Sequence, residues 1–292
     1  MVLNRTWRDR LELALIYLGL SLFALIAVLP FLSTIARSFS AEAPIARGDV
    51  YLWPVNFTLD AYRRLIQGGA FWRGFMNSFI ITGLGTALQM VMTVLAAYPL
   101  SRPSLPGRRS LMLIIIFQMI FPPGLIPFYL TVRQAGLIDT YWAVIVPYAI
   151  NTFNLIVLVN FFRSLPVEME EAAIVDGAND PQVLWHVMLP LSMPVIMTLS
   201  LFYAVENWNL FLPAIFFIND GNKQPVQVIL RDMIWSLQLM SQTASPDQFE
   251  RFAGIEALKA ASVFITAIPM LIAYPFVQRY FIKGIMLGAV KQ

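Results

Sequence analysis

Long apolar runs separated by short polar connections set the pattern of this chain. About 20 consecutive apolar residues are needed for a helix to cross the hydrocarbon core of a bilayer. Six stretches meet that requirement: Leu11 to Ile35, Phe75 to Leu100, Leu111 to Val132, Tyr141 to Phe162, Leu191 to Ile218 and Ala260 to Phe281. The acids inside them are Glu12, at an edge, and Glu206. Unpaired backbone groups cannot face lipid, so uncharged runs of this length must be helices, and the alternating ten-residue pattern of a membrane barrel is absent. The pattern predicts an all-α membrane protein with six transmembrane helices. Its expected parts are an N-terminal segment 1–10, a helical domain 11–281 and a C-terminal tail 282–292. Composition agrees: 58% of the 292 residues are hydrophobic, 13% are charged and the mean hydropathy is +0.68, too apolar for a water-soluble domain of this size.

Lys and Arg in the short connections orient the helices. If six spans alternate, Arg5, Arg8 and Arg10, then Arg102, Arg108 and Arg109, then Arg279, Lys283 and Lys291 all fall on one side, which the positive-inside rule makes the cytoplasm. Both termini are then cytoplasmic, in a plasma (inner) membrane, and the segments 36–74 and 219–256 are external. The first run is too long for a signal-peptide core and no small-residue cleavage site follows it, so it reads as a retained helix. Within the first external segment, Asn56-Phe-Thr-Leu-Asp-Ala-Tyr-Arg-Arg-Leu-Ile predicts a short helix capped at Thr58 or Asp60. Pro and Gly recur in the spans, as in Phe121-Pro122-Pro123-Gly124 and at Pro147, Pro213 and Pro269, where they either bend helices around a cavity or act as ordinary kinks.

One connection breaks the charge pattern. The segment 163–193, on the cytoplasmic side, carries Glu168, Glu170, Glu171, Asp176 and Asp180 against Arg163. Its signals predict two short helices. Ser164 and Pro166 open the first and Gly177 closes it; Asp180 with Pro181 opens the second, which ends before Pro190. Ala173 and Gly177, one turn apart, leave a flat strip that another protein surface could approach closely. A partner-docking element accounts for acids where basic residues are the rule.

Specific residues now carry a resemblance. Glu171-Ala172-Ala173, then Asp176-Gly177-Ala178, then Leu189-Pro190 after eleven intervening residues from Gly177, resembles the EAA loop of binding-protein-dependent ABC importer permeases. Val187 and Leu184 stand where that family more often has Ile and Phe. Asn77-Ser78, Tyr98-Pro-Leu-Ser-Arg102, Asn207-Trp-Asn-Leu-Phe and the end of the chain, from Pro269 through Gln278-Arg-Tyr-Phe-Ile-Lys-Gly, resemble the carbohydrate branch, in particular its maltose-type second permease subunit. The resemblance implies a type I ABC importer permease fold that pairs with a homologous second permease and two ATP-binding cassette subunits, with an external solute-binding protein on the opposite face. Glu171, Ala172, Ala173, Asp176, Gly177, Leu189 and Pro190 would then couple to an ATPase. ATP and Mg would be bound by those partners, leaving this chain without a cofactor.

The chain's own chemistry is sparse. It has no G-x-x-x-x-G-K-[ST] phosphate loop, no G-x-S-x-G, no H-E-x-x-H and no Cys, and its one histidine, His186, reads as a surface residue of the loop. That disfavours an intramembrane enzyme and points to no catalytic or metal site. The net charge of +3 is scattered between apolar runs, which excludes a nucleic-acid surface. An ion-coupled carrier usually shows inverted repeats and several buried acids; the spans offer Glu206 and no visible repeat. In the fifth run Ser200, Tyr203 and Asn207 share one helix face, extended by Glu206 and Asn209. That polar arc serves either hydrogen bonds to neighbouring helices or a substrate pathway in which Tyr203 and Trp208 stack on sugar rings. The oligosaccharide class follows from the resemblance, with an ABC permease for another solute as the alternative. Arg37, Arg47, Arg63, Arg64 and Arg73 against Glu42, Asp49 and Asp60 in the first external segment make an acidic oligouronate electrostatically acceptable.

Overall fold

A computed structural model of the chain describes residues 7–243 and 249–289. The helices, in order, are α1 Trp7–Ser38, α2 Glu42–Arg47, α3 Asp60–Gln67, α4 Ala70–Ser101, α5 Arg108–Ile120, α6 Leu125–Gln134 and α7 Trp142–Ile145. They continue with α8 Thr152–Ser164, α9 Val167–Val175, α10 Asp180–Leu191, α11 Met193–Trp208, α12 Leu212–Phe217, α13 Val226–Thr243 and α14 Phe249–Ala289. Among the described residues the single β feature is a bridge between Ser40 and Phe57. Arg5 and Lys291, used above for orientation, lie outside the described residues. The last helix runs through Phe281 to Ala289.

Three helical stretches are unbroken, apolar and long enough to cross a membrane: Leu11–Ser38, Ala70–Ser101 and Gly254–Pro275. The other three predicted runs are broken. Arg108–Ile120 meets Leu125–Gln134 at 116°. Pro122 and Pro123 lack amide donors and push the residue before each of them out of helical geometry, and Phe121 accordingly sits at φ −117°, ψ 73°. The fourth run bends by 45° between Tyr148 and Thr152. The fifth differs most: α11 stops at Trp208, α12 is separate, and at its other end α11 meets α10 at 83° across Ser192. Pro190 and Pro194 flank that corner.

The helices form two compact units. One comprises the described residues within 1–71 and 230–267, the other those within 72–229 and 268–292. In the first, none of the apolar window of α1 is buried within the chain, as for a helix whose solvent is lipid. The loop after it folds on Phe39, whose ring stacks on Phe57 at 5.5 Å and lies 4.9 Å from Tyr62. Helix α3 forms in the expected segment, but its N-cap is Leu59, with no side-chain cap, rather than Thr58 or Asp60; the Asp60 amide donates to Thr58 Oγ1 at 3.2 Å. Burial raises the Tyr62 hydroxyl above its ordinary pKa, while its 2.8 Å bond to Ser38 Oγ works in the other direction.

The second unit has two apolar clusters. One joins Ala97, Leu155, Leu158, Phe162, Val183, Leu184 and Leu199; the other joins Ile81, Val144, Ile145, Ala214, Phe217 and Val228. At the end of the second cluster a polar clamp fastens the loop before α13. Asn77 Nδ2 donates to the carbonyls of Asn222 (2.8 Å) and Gln224 (3.0 Å), and Asn77 Oδ1 accepts from Tyr141 OH (2.8 Å). Ser78 Oγ accepts from the Val226 amide at 2.9 Å. Asp139, at φ +64°, accepts from the Asn219 and Asp220 amides. The Asn222 amide, donating to Asp220, holds that carboxyl below its usual range, with Lys223 adding to the effect.

This clamp gives the Asn77-Ser78 pair a structural task. Asn77→Leu strands two carbonyls and a hydroxyl, and should cost about 2 kcal/mol or more of stability. The expected result is a lower thermal midpoint of the detergent-solubilised protein by tryptophan fluorescence; an unchanged midpoint would remove the clamp from the account.

Candidate functional site: the hairpin and the polar seam

The acidic segment 163–193 folds as the predicted two-helix hairpin, with different residues at its corners. Ser164 closes α8 instead of opening the hairpin, its Oγ donating to the Phe161 carbonyl, and Pro166 stands at the N-cap of α9. Helix α9 ends in a Schellman arrangement: the Gly177 amide donates to Ile174 O and the Ala178 amide to Ala173 O. Gly177 sits at φ +88° with nothing within 4 Å of where a Cβ would be, so glycine is required there for its backbone conformation alone. The second helix is capped by Asn179, not Asp180. Asn179 Oδ1 accepts from the Gln182 amide at 3.0 Å and Gln182 Oε1 from the Asn179 amide at 2.8 Å, a reciprocal capping box. It does not end before Pro190. Leu184–Met188 widens into a π turn, which accommodates a proline that offers no amide to the preceding turn, and the helix continues to Leu191.

The hairpin's two faces differ. Glu171, Ala172, Asp176, Gly177 and Pro190 are exposed, together with Ile174, Val175 and Trp185, apolar residues with Val175 at 86% exposure. Ala173, Ala178, Val187 and Leu189 pack inward against the first apolar cluster. The predicted coupling residues therefore surround an exposed knob that is acidic and apolar at once, and His186 lies on its surface.

The polar arc of α11 splits in the same way. Tyr203 and Trp208, expected to stack on sugars, are 0% and 2% exposed. The Trp208 ring is boxed in by Phe75 and Phe79 at 5.6 and 5.0 Å. Tyr203 OH lies 2.7 Å from Thr93 Oγ1 and accepts from the Asn151 amide at 3.1 Å. Asn207 Nδ2 donates to Gln89 Oε1 (2.7 Å) and Thr86 Oγ1 (3.3 Å), while Gln89 Nε2 donates to the Tyr148 carbonyl at 3.0 Å. Gly85 permits this approach, since a Cβ there would stand 2.9 Å from Asn207 Nδ2. In this conformation the buried part of the arc is thus a polar seam. It serves the break in the fourth span, whose freed Tyr148 carbonyl and Asn151 amide it satisfies, while Asn151 Oδ1 caps α8. Glu206 and Asn209 are exposed and Ser200 is half-buried; Asn151 Nδ2 reaches Glu206 Oε2 at 3.5 Å.

With this geometry in place, comparison with known proteins is decisive. Residues 89–286 match the family described as the binding-protein-dependent transport system inner membrane component. The chain belongs to that family. It is 43% identical over 97% of its length, and 99% of the relative's, to the polygalacturonan/rhamnogalacturonan transport system permease protein YtcP of Bacillus subtilis (strain 168). It is 44% identical to Protein LplC of the same organism, over 91% of this chain and 90% of that one. Among solved structures it matches a chain of a bacterial ABC transporter involved in the import of the acidic polysaccharide alginate, with a TM-score of 0.86 and 34% identity, covering 94% of this chain and 98% of that chain. The fold is that of a type I importer permease, and the protein is the non-catalytic membrane component of a transporter.

Sequence reasoning missed Gln89, Thr93 and Asn151, which complete the permease's seam. A signal existed: polar side chains in an apolar span need partners, and Gln89 and Thr93 lie four residues apart on one face. Asn207→Leu should leave Gln89 Oε1 without its donor and lower the thermal midpoint of the purified permease, at about 1–2 kcal/mol. Glu206→Gln, on the exposed part of the arc, should leave the midpoint unchanged. Equal midpoints for both variants would contradict the division between seam and exposed face.

Proposed function

We propose that this permease imports acidic oligosaccharides by alternating access. A homologous second permease completes the pathway, and two ATPase subunits bind ATP and Mg. An external binding protein delivers the sugar. The observation that carries the reading is the hairpin Val167–Leu191: rigidly capped at both turns, it offers Glu171, Val175 and Trp185 outward from an otherwise lipid-adapted chain. A surface that is both acidic and apolar fits a protein cleft with a basic residue in it better than it fits water.

The hairpin and both termini are assigned to the cytoplasm on the balance of Lys and Arg. An impermeant thiol reagent should therefore miss Asn179→Cys in intact cells and label it after permeabilisation. Strong labelling of intact cells would reverse the orientation.

An acidic substrate is favoured by the names of two relatives, one concerned with polygalacturonan and rhamnogalacturonan and one with alginate. The external arginines contribute less than their number suggests. Arg37 pairs with Glu256 (3.5 Å), Arg63 with Asp60 (3.6 Å) and Arg64 with Glu42 (2.5 Å), so that of the five arginines of the first external segment Arg47 and Arg73 are exposed with no ion pair among the described residues. The proposed path passes Ser200, Glu206 and Asn209, with Tyr203, Asn207 and Trp208 supporting it from behind in this conformation. Proteoliposomes holding the complete transporter and its binding protein should take up labelled oligogalacturonate in an ATP-dependent manner and leave a neutral oligosaccharide of equal length outside. Uptake of the neutral sugar alone would overturn the acidic class, and uptake driven by an ion gradient without ATP would overturn the importer assignment.

A further inference from the structure

The Tyr98-Pro-Leu-Ser-Arg102 segment ends α4 beside the hairpin. Helix α4 stops at Ser101, and the Arg102 amide donates to the Pro99 carbonyl at 3.1 Å, closing a tight turn at the helix end. The Arg102 guanidinium then lies over the Tyr98 ring, 4.4 Å from its centroid, and pairs with Glu170 of α9. Both charged side chains are only 18% exposed, and Tyr98 is 8% exposed. A second arginine secures the same helix end: Arg163 Nη2, in the last turn of α8, donates to the Leu100 carbonyl at 3.0 Å.

Two features set the Glu170–Arg102 pair apart from the rest of the hairpin's attachment. The other inward contacts, through Ala173, Ala178 and Val187, are apolar and non-directional, and such surfaces can slide. A guanidinium that is stacked on a ring and paired with a carboxylate holds one orientation. Screening by solvent is also reduced at this exposure, so the pair resists separation more than a surface ion pair would. The adjacent acids divide the work, because successive helical residues point about 100° apart. Glu170 shares the inward face with Ala173, and Glu171 is exposed.

We propose that Glu170–Arg102 is the strut through which hairpin movement reaches α4, with Glu170, Arg102 and Tyr98 as positioning residues of the transport cycle and Glu171 left to engage the ATPase. This rests on reading the hairpin as the ATPase-docking element. Helix α4 carries Thr86, Gln89 and Thr93, so displacement of its end acts directly on the polar seam and on the broken fourth span. A pull on Glu170 is thereby converted into a change at the centre of this unit.

The test uses the complete transporter in proteoliposomes and reads ATPase retention on the purified permease separately from sugar transported per ATP hydrolysed. Glu170→Gln and Arg102→Gln should retain the ATPase and lower transport per ATP roughly tenfold, within the range of ordinary coupling free energies. The exchange Glu170→Arg with Arg102→Glu should recover most of that loss, which a merely structural defect would not. Normal transport per ATP in Glu170→Gln overturns the strut. So does an exchange variant that assembles but transports no better than the single variants, or single variants that lose the ATPase and are not rescued by the exchange. The docking reading fails by a different signature: Glu171→Ala and Gly177→Val would both retain the ATPase and transport normally.

Discussion

A backbone amide or carbonyl in hydrocarbon has no water to bond, and each one left unpaired costs several kcal/mol. A helix meets the requirement internally, except where a proline such as Pro30 in α1 or Pro99 in α4 removes an amide. Three of the six apolar runs depart from that form, each broken by a bend of more than 40°. Here the bend in the fourth span frees the Tyr148 carbonyl and the Asn151 amide, and side chains of α4 and α11 replace the lost partners. The identities of Gln89, Thr93, Tyr203 and Asn207 follow from that requirement. So does the glycine at position 85, without which Asn207 could not lie against α4.

The seam also explains how one unit can hold two apolar clusters. Apolar packing is tolerant of small displacements, whereas hydrogen bonds in a dry interior have few alternative partners. The clusters supply contact area and the seam supplies register between the second, fourth and fifth spans. At the two ends, charged and polar groups repeat this division: the Asn77 and Ser78 clamp fastens the loop before α13, and Arg102 and Arg163 fasten the end of α4. The backbone groups that Asn77, Ser78 and Arg163 hold lie in a loop or at a helix terminus, where unpaired backbone groups accumulate.

Hydropathy located all six runs, because span length and the exclusion of charge are one-dimensional properties. It could not locate the breaks. A sum over a window takes no account of the order of Pro122, Pro123 and Gly124, and the run 191–218 hid a helix end at Trp208. The hairpin was legible because Gly177 and the acids sit at fixed offsets. The choice of Asn179 over Asp180 as cap depended on Gln182 three residues on, a signal present in the chain and not used. Glu170 and Glu171 are equivalent in a linear reading; only the packing of Ala173 on a distant cluster decides which acid turns inward. The polar arc of α11 could be recognised from its period, yet its partners on α4 lie more than a hundred residues away in the chain and Asn151 more than fifty, beyond the reach of any local rule.

The corner at Ser192 has a mechanical meaning. Helices α10 and α11 meet there at 83°, and Ser192 is fully buried with its hydroxyl unpaired. Two helical arms joined near a right angle have the form of a bell crank, the linkage that turns a push in one direction into a swing in another. With roughly 18 Å of helix in the α10 arm at 1.5 Å per residue, a displacement of about 3 Å at its far tip rotates the corner by roughly 10°, a change of the size that hinged helices absorb. The membrane permits little vertical travel of an apolar helix, because sliding it would drag polar ends into hydrocarbon. A rotation about Ser192 would avoid that penalty, because it would tilt the apolar α11 without sliding it along its axis.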